Sequence, residues 1–247
     1  VTVTVTPKDG EPKTFTGNTD GKGNYKVTTD TLVDGDKVVV TASEPGKADN
    51  TSDEKVVGVD TSKLKESIDK ADKIVAEDGT NFKPDTNPVD KALKDALDNG
   101  KKVKEAGDNG DPNTDQTVVD NAKKELDKAI AQKEADKAVD QAKVDPSDQN
   151  INDAQDKINN IPGTVDDNPI KKDLQDKLDL IKKIKEGEER LKQDDIKDKP
   201  PKDVQDLKDA IDKGKKAIDS KDSKTVTEAT KAIEKAIDQI NKERIQV

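Results

Sequence analysis

The chain has 247 residues, 45 Lys and Arg against 55 Asp and Glu for a net charge of -10, 28% hydrophobic residues, and no His, Cys, Met or Trp. Lacking imidazole and thiol, it lacks the usual general base near neutral pH, the sulfur nucleophile and the soft metal ligands, so neither enzymatic chemistry nor a cofactor is expected. An acidic surface of interspersed Lys and Asp suits neither nucleic acid nor an anionic membrane, no apolar run approaches the ~20 residues of a membrane span, and the small apolar volume predicts several thin cores instead of one large one.

Residues 1–59 are written in period two. "VTVTVT" sets Val1, Val3 and Val5 on one face and threonines on the other, and "KVVVTAS" and "KVVGV" continue in β-branched residues. Turn clusters lie between them: "PKDGEP", "NTDGKGN", "LVDGD" and "EPGKADN". The pattern predicts a small antiparallel β domain with strands at about 1–6, 13–17, 25–29, 37–43 and 54–59, fewer than the roughly seven of a complete immunoglobulin-type sandwich. The order of "VTVTVTPKDG", "DGKGNY" and "LVDGDKVVV" resembles the bacterial Ig-like repeats of large surface and biofilm-associated proteins. That resemblance covers about the first quarter of the chain and implies a β-sandwich lacking its first one or two strands.

From Asp60 onward the period is helical. Thr61 or Ser62 is placed to cap a helix carrying Leu64, Ile68, Ala71 and Val75, which the stretch from Gly79 to Pro88 ends, with Phe82 as a plug over the turn. A second helix, about 88–106, presents Val89, Leu93, Leu97, Gly100 and Val103. A third presents Val118, Val119, Ala122, Leu126, Ala129 and Ile130. Three amphipathic helices with short polar connections predict an up-down-up bundle. No breaker follows Ile130: the pattern continues through Ala135, Ala138, Val139 and Ala142 to "DPSD" at 145–148, so the last helix of one bundle is expected to become the first of the next. Ile151, Ala154, Ile158 and Ile161 mark the next helix, and Ile170, Leu174, Leu178, Ile181 and Ile184 another that runs past Gly187 to Leu191. A final pair is expected at about 202–219 and 223–243.

The chain also repeats itself. "LKDALDNGKKV" at 93–103 returns as "LKDAIDKGKKA" at 207–217, 114 positions later, and "LDKAI" at 126–130 is answered by "IEKAI" at 233–237, 107 positions later. The length difference falls in the connecting loop, where a helical repeat tolerates it best. Gly100 and Gly214 each cost about 1 kcal/mol against Ala in a helix interior. Either a neighbouring side chain crosses closely there, or each is a tolerated defect on a solvated face.

Residues 60–133 and 184–247 resemble the FIVAR-type three-helix modules found in tandem in Gram-positive cell-wall proteins, through the segments just quoted with "VVDNAKKELDKAI" and "TVTEATKAIEKAI". Residues 134–183, with "AVDQAKVDPSDQNINDAQDKINNIP", resemble a related short three-helix repeat. The expected fold class is therefore multidomain, β then all-α: an Ig-like domain at 1–59, then tandem three-helix bundles sharing continuous helices in an elongated rod.

Candidate sites are few. Asn18 with "DGKGN" at 20–24 offers oxygen at alternate positions, but a calcium loop of the EF-hand type needs more carboxylates and a terminal Glu, and Lys22 stands where a ligand is wanted, so an ordinary hairpin turn and no metal site are expected. The neighbouring carboxylates Asp166 with Asp167, and Asp194 with Asp195, lack the dry pocket that acid–base work requires. Some surface β domains of the resembled kind form a Lys-to-Asn isopeptide bond in an apolar core; Lys13, Lys26, Lys37 and Asn24 fall at polar turn or outward positions. Tyr25 and Phe82 are expected to be packed instead of presented to a partner. Together the resemblances imply a stalk or spacer segment of a secreted, cell-wall-anchored adhesin or biofilm protein, a monomeric stretch of a longer chain with its export signal and anchor outside it. The alternative is a binding module for a host extracellular or plasma protein of the fibronectin or albumin type.

Overall fold

The computed structural model describes residues 1–242; the last position of the expected helix 223–243 and the end of the expected module 184–247 lie outside them. A small antiparallel sheet is followed by seven α-helices among the described residues. Two compact units are distinguished, one of Val1–Phe82 with Lys94–Asp127, the other of Lys83–Leu93 with the residues from Lys128 onward.

Strands β1 (Thr2–Thr6), β2 (Lys13–Thr16), β3 (Lys37–Ala42), β4 (Asn50–Thr51) and β5 (Lys55–Val56) form one sheet in the order β2-β1-β3-β4, with β5 also on β3. The alternation of β1 sets the register: Val3 faces Phe15 and Val40 on its two neighbours, Val5 pairs with Val38, and both valines are buried. On the other face Thr2 stands between Thr16 and Thr41, and Thr41 reaches Thr51. The expected strand at 25–29 does not form. Residues 17–36 run as turns and coil with one bridge, Thr19 to Tyr25, because Asp20 ties the loop to itself and Gly17 meets the side chain of Val27 without a hydrogen-bonded ladder. The expected strand 54–59 shortens to Lys55–Val56, and β4 arises inside what reads as a turn cluster.

In the first unit, α1 (Ser62–Asp78) starts where Asp60 accepts the Ser62 N–H at 2.9 Å. The Thr61 hydroxyl does not cap; it donates to Asp108 at 2.6 Å. Helix α2 (Pro88–Asp108) returns and α3 (Gln116–Val144) runs out again. Thr61 bonds Asp108 at the α2 end, Asp60 bonds Gln116 at the α3 start, and Ser67 bonds Asp127 farther along, which fixes an up-down-up order. Gly100 is buried in their midst. A Cβ there would lie 3.4 Å from Leu126 Cδ2, 3.5 Å from Leu64 Cδ1 and 3.6 Å from Ile68 Cγ1.

In the second unit, Ser147, Asn168 and Asp222 cap α4 (Asp148–Asn159), α5 (Pro169–Arg190) and α7 (Ser223–Asn241) through their side chains, while α6 (Pro201–Ala217) starts on a proline. Helix α5 packs on α4, α6 and α7. Ser223 bonds Asp176, and Asn241 accepts from Arg190, so α5 and α7 run the same way with α6 returning between them. Their buried residues join those of α4 and Ala135, Val139 and Ala142 of α3 in a single cluster that runs to Ile240. Gly214 is buried too: a Cβ there would lie 2.8 Å from Ile233 Cδ1 and 3.3 Å from Ile184 Cγ1. The close-approach reading holds at Gly214; Gly100 is buried among neighbouring side chains, not on a solvated face, but they stand at ordinary contact distance.

Helices α3 and α5 are unbroken through 131–137 and 182–190. At 3.6 residues per turn the buried Val119, Ala122, Leu126 and Ile130 fall on one stripe of α3, and Ala135, Val139 and Ala142 on another about half a turn round. On α5, Leu174, Leu178 and Ile181 share one face and Leu180, Ile184 and Gly187 another, roughly a third of a turn away.

Candidate functional site

In the 18–24 turn, Asp20 is fully engaged with its own loop. Its Oδ1 accepts the N–H groups of Lys22 and Asn24 at 2.8 and 2.9 Å, and Oδ2 accepts the Asn24 amide at 3.0 Å. The Asn24 side chain and these N–H groups hold its carboxyl below the ordinary range. Both Asp20 oxygens are spent on closing the turn, and among the described residues no group of three or more acidic side chains is placed to hold a metal ion.

Asp166 and Asp167 are exposed, and Asp167 accepts from the Thr164 hydroxyl at 2.8 Å. Asp195 receives the Arg190 guanidinium in a two-pronged contact of 2.8 and 2.9 Å, which pulls its carboxyl below the usual range, the opposite of what a general acid needs. Lys13 pairs with Asp30 at 2.9 Å and Lys37 with Glu54 at 3.1 Å, while Lys26 and Asn24 are exposed. None of these lysines lies in an apolar core. Of the two aromatic residues expected to be packed, Phe82 is half-buried, but Tyr25 is 49% exposed, since the coil that carries it makes no strand that would turn it inward.

The polar groups that are buried lie elsewhere, mostly at places that sequence reading passes over. In the sheet domain, Asp36 accepts the Val33 N–H through Oδ2 at 2.9 Å and leaves a buried Oδ1 without a partner. In the second unit, Lys133 of α3 is 6% exposed and its ammonium lies 2.6 Å from Asp90 Oδ1 in the first turn of α2, itself 1% exposed. Asp90 Oδ2 accepts the Lys83 N–H at 2.7 Å, and Asn87 caps the helix just before it through the Val89 N–H at 2.8 Å. Beside this pair Gln132 donates to Asn168 at 3.0 Å, both buried. The signal in the sequence was Lys133 itself, a charge at the next stripe position after Leu126 and Ile130.

These contacts join the start of α2, the middle of α3 and the start of α5 by charge-assisted and amide bonds that water reaches poorly. Their chemistry is that of a fastening. Comparison of the chain with protein-family models, curated proteins and solved structures gives no match.

Proposed function

We propose that this stretch is a spacer: a stalk segment of a cell-wall-anchored bacterial adhesin or biofilm-associated protein that projects a binding domain from the envelope. It would be made of an Ig-like domain at 1–59 and three-helix modules of the FIVAR type at 60–133, 134–183 and 184–247. The observation that carries this reading is the use of single unbroken helices for two successive buried stripes, in α3 and again in α5. A shared helix leaves no flexible linker at the module boundary, which is what a stiff spacer requires and what an isolated binding domain does not. The reading involves no catalytic step, no cofactor and no membrane insertion; no described helix is long and apolar enough to cross a membrane. Export and anchoring would be supplied by regions outside this stretch. Small-angle scattering of the purified chain tests it: an extended profile that persists when salt is raised supports the spacer, and a profile of freely hinged beads removes it.

One observation favours the second reading, a module that binds a host extracellular or plasma protein. Tyr25, with Leu32 and Val33 on the same loop, is presented to solvent, and exposed aromatic side chains are the commonest anchors of protein recognition. Capture of a plasma protein by the wild-type chain, lost with Tyr25→Ala, would select that reading.

A further inference from the structure

Helix α3 carries a third stripe beside its two apolar ones. Lys133, Asp136, Asp140 and Lys143 recur at helical spacing along one side of it. Lys133 is committed to Asp90 of α2 at 2.6 Å and reaches Asp136 only at 3.7 Å, beyond hydrogen-bond distance. On α5, the ammonium of Lys177 is held by Asp173 at 2.8 Å. At the far end, Lys143 is committed to Asp219 in the turn before α7, at 2.6 Å. Lys133, Lys143 and Lys177 are therefore each held closely by another carboxylate. Asp136 is left 13% exposed, facing Asp140 on its own helix and Asp90 on α2, in a cluster where acids outnumber bases.

We propose that this stripe is an acid-strengthened joint: proton uptake by Asp136 removes a poorly compensated charge between α3, the first turn of α2 and α5, so the second unit becomes firmer in mildly acidic surroundings than at neutral pH. A neutral carboxyl at this place keeps the shape and the packing of Ala135 and Val139 beside it, while the repulsion from Asp140 and Asp90 disappears. Burial, then Asp140, pushes the Asp136 carboxyl up to about 6, with Lys133 and Lys177 opposing. Its value in the unfolded chain is the ordinary 3.8. Between these two values the native state binds the extra proton, so stability is gained as pH falls through 6 and the gain is complete below the unfolded value. This is the reverse of ordinary acid weakening. In the first unit, Asp60, Asp98 and Asp108 are exposed carboxylates held below their usual range by hydrogen bonds from Ser62, Lys94 and Lys104, so their contribution is lost only in stronger acid.

Hydrogen exchange of the full chain, resolved by segment and measured between pH 7.5 and 5 with the intrinsic pH dependence of exchange removed, tests the proposal. The expected result is a rise of about tenfold in the protection of α3 after residue 131 and of α5 as pH falls from 7.5 to 5, with α1 unchanged. Asp136→Asn, which imitates the protonated side chain, should give the high protection at pH 7.5 and remove most of the dependence, Asp140 keeping the remainder. Flat or falling protection in the wild type, or an Asp136→Asn chain that keeps the full pH dependence, overturns the proposal. Should that variant fail to fold, carbon-detected NMR titration of the wild-type Asp136 carboxyl decides: a midpoint near 6 upholds the joint, and one near 4 overturns it.

Discussion

The helix set α1, α2 and α3 and the set α5, α6 and α7 make the same contact with different side chains. Leu64 and Ile68 on the first helix, Gly100 on the second and Leu126 on the third correspond to Leu180 and Ile184, Gly214 and Ile233. Ala71 and Val75 correspond in the same way to Gly187 and Leu191, which carries the repeat back to Leu180, ahead of the expected boundary at 184. The fit is not equal. At Gly100 the neighbours stand at ordinary van der Waals distance, whereas at Gly214 Ile233 Cδ1 occupies space that a Cβ would need. Ile233 also sends Cγ2 to within 3.3 Å of a Cβ at Gly187, where the first set has Ala71. A side chain branched at Cβ has two arms, and the second set gives each arm its own glycine; Leu126 has one bulky end and needs a single notch. Bulk moved onto one helix is matched by bulk removed from two others.

This comparison is broken most severely by emptying the wedge. Ile233→Ala should destabilise the α5–α7 set by about 2–5 kcal/mol, since Ile233 is fully buried and both notches would become cavity. Urea unfolding followed by exchange protection in α6 and α7 measures it. Next comes Gly214→Ala. The added methyl forces Ile233 aside at a cost of about 1–3 kcal/mol, against about 1 kcal/mol regained in helix propensity, for a modest net loss. An Ile233→Val background removes Cδ1 and should abolish that loss. The same background should do little for Gly187→Ala, whose clash is with Ile211 at 3.0 Å and with the Cγ2 that valine keeps. If Ile233→Val rescues both glycine changes equally, the two-notch account fails.

The helices and the pairing of the two sets were legible in the sequence because a 3.6-residue stripe and a conserved spacing inside each helix are both one-dimensional properties. What spacing gives is a face, not a distance, so the glycines at 100 and 214 read alike although their clearances differ. The buried pair of Lys133 with Asp90 was hidden for a related reason. A lysine in an alternating Lys and Asp helix reads as solvated until its partner, 43 residues away, is known to sit on the facing turn. The strand expected at 25–29 failed because Val27 and two threonines carry strand propensity while Asp20 and Asn24 close the preceding loop on itself, and a local hydrogen-bonded turn prevailed over a ladder. Residues 50–51 gave the converse miss: Asn50, of little strand propensity and at the end of a turn cluster, is recruited with Thr51 by the edge of β3.

A milder test changes sign between the two sets. Gly100→Ala meets nothing closer than 3.4 Å, so the helix gain of up to about 1 kcal/mol should appear with little penalty, and the first set should become more stable by the same measurement that shows Gly214→Ala weakening the second.

The smallest effect is expected where the two sets agree. Lys101 on α2 pairs with Asp72 on α1 at 2.7 Å, and at the corresponding positions Lys215 on α6 pairs with Glu188 on α5 at 2.6 Å. The first pair is about half exposed on both sides and the second only somewhat less, so water and salt screen them similarly and the cost of ordering two long side chains offsets much of the attraction. Double-mutant cycles with alanine should give coupling energies of about 0.2–1 kcal/mol for each pair, alike within error and diminishing together as salt is raised. A large coupling at Lys215 alone would mean that the second set is tightened from its surface as well as from Ile233. The difference between the two would then belong to the whole helix crossing and not to the branching of one side chain.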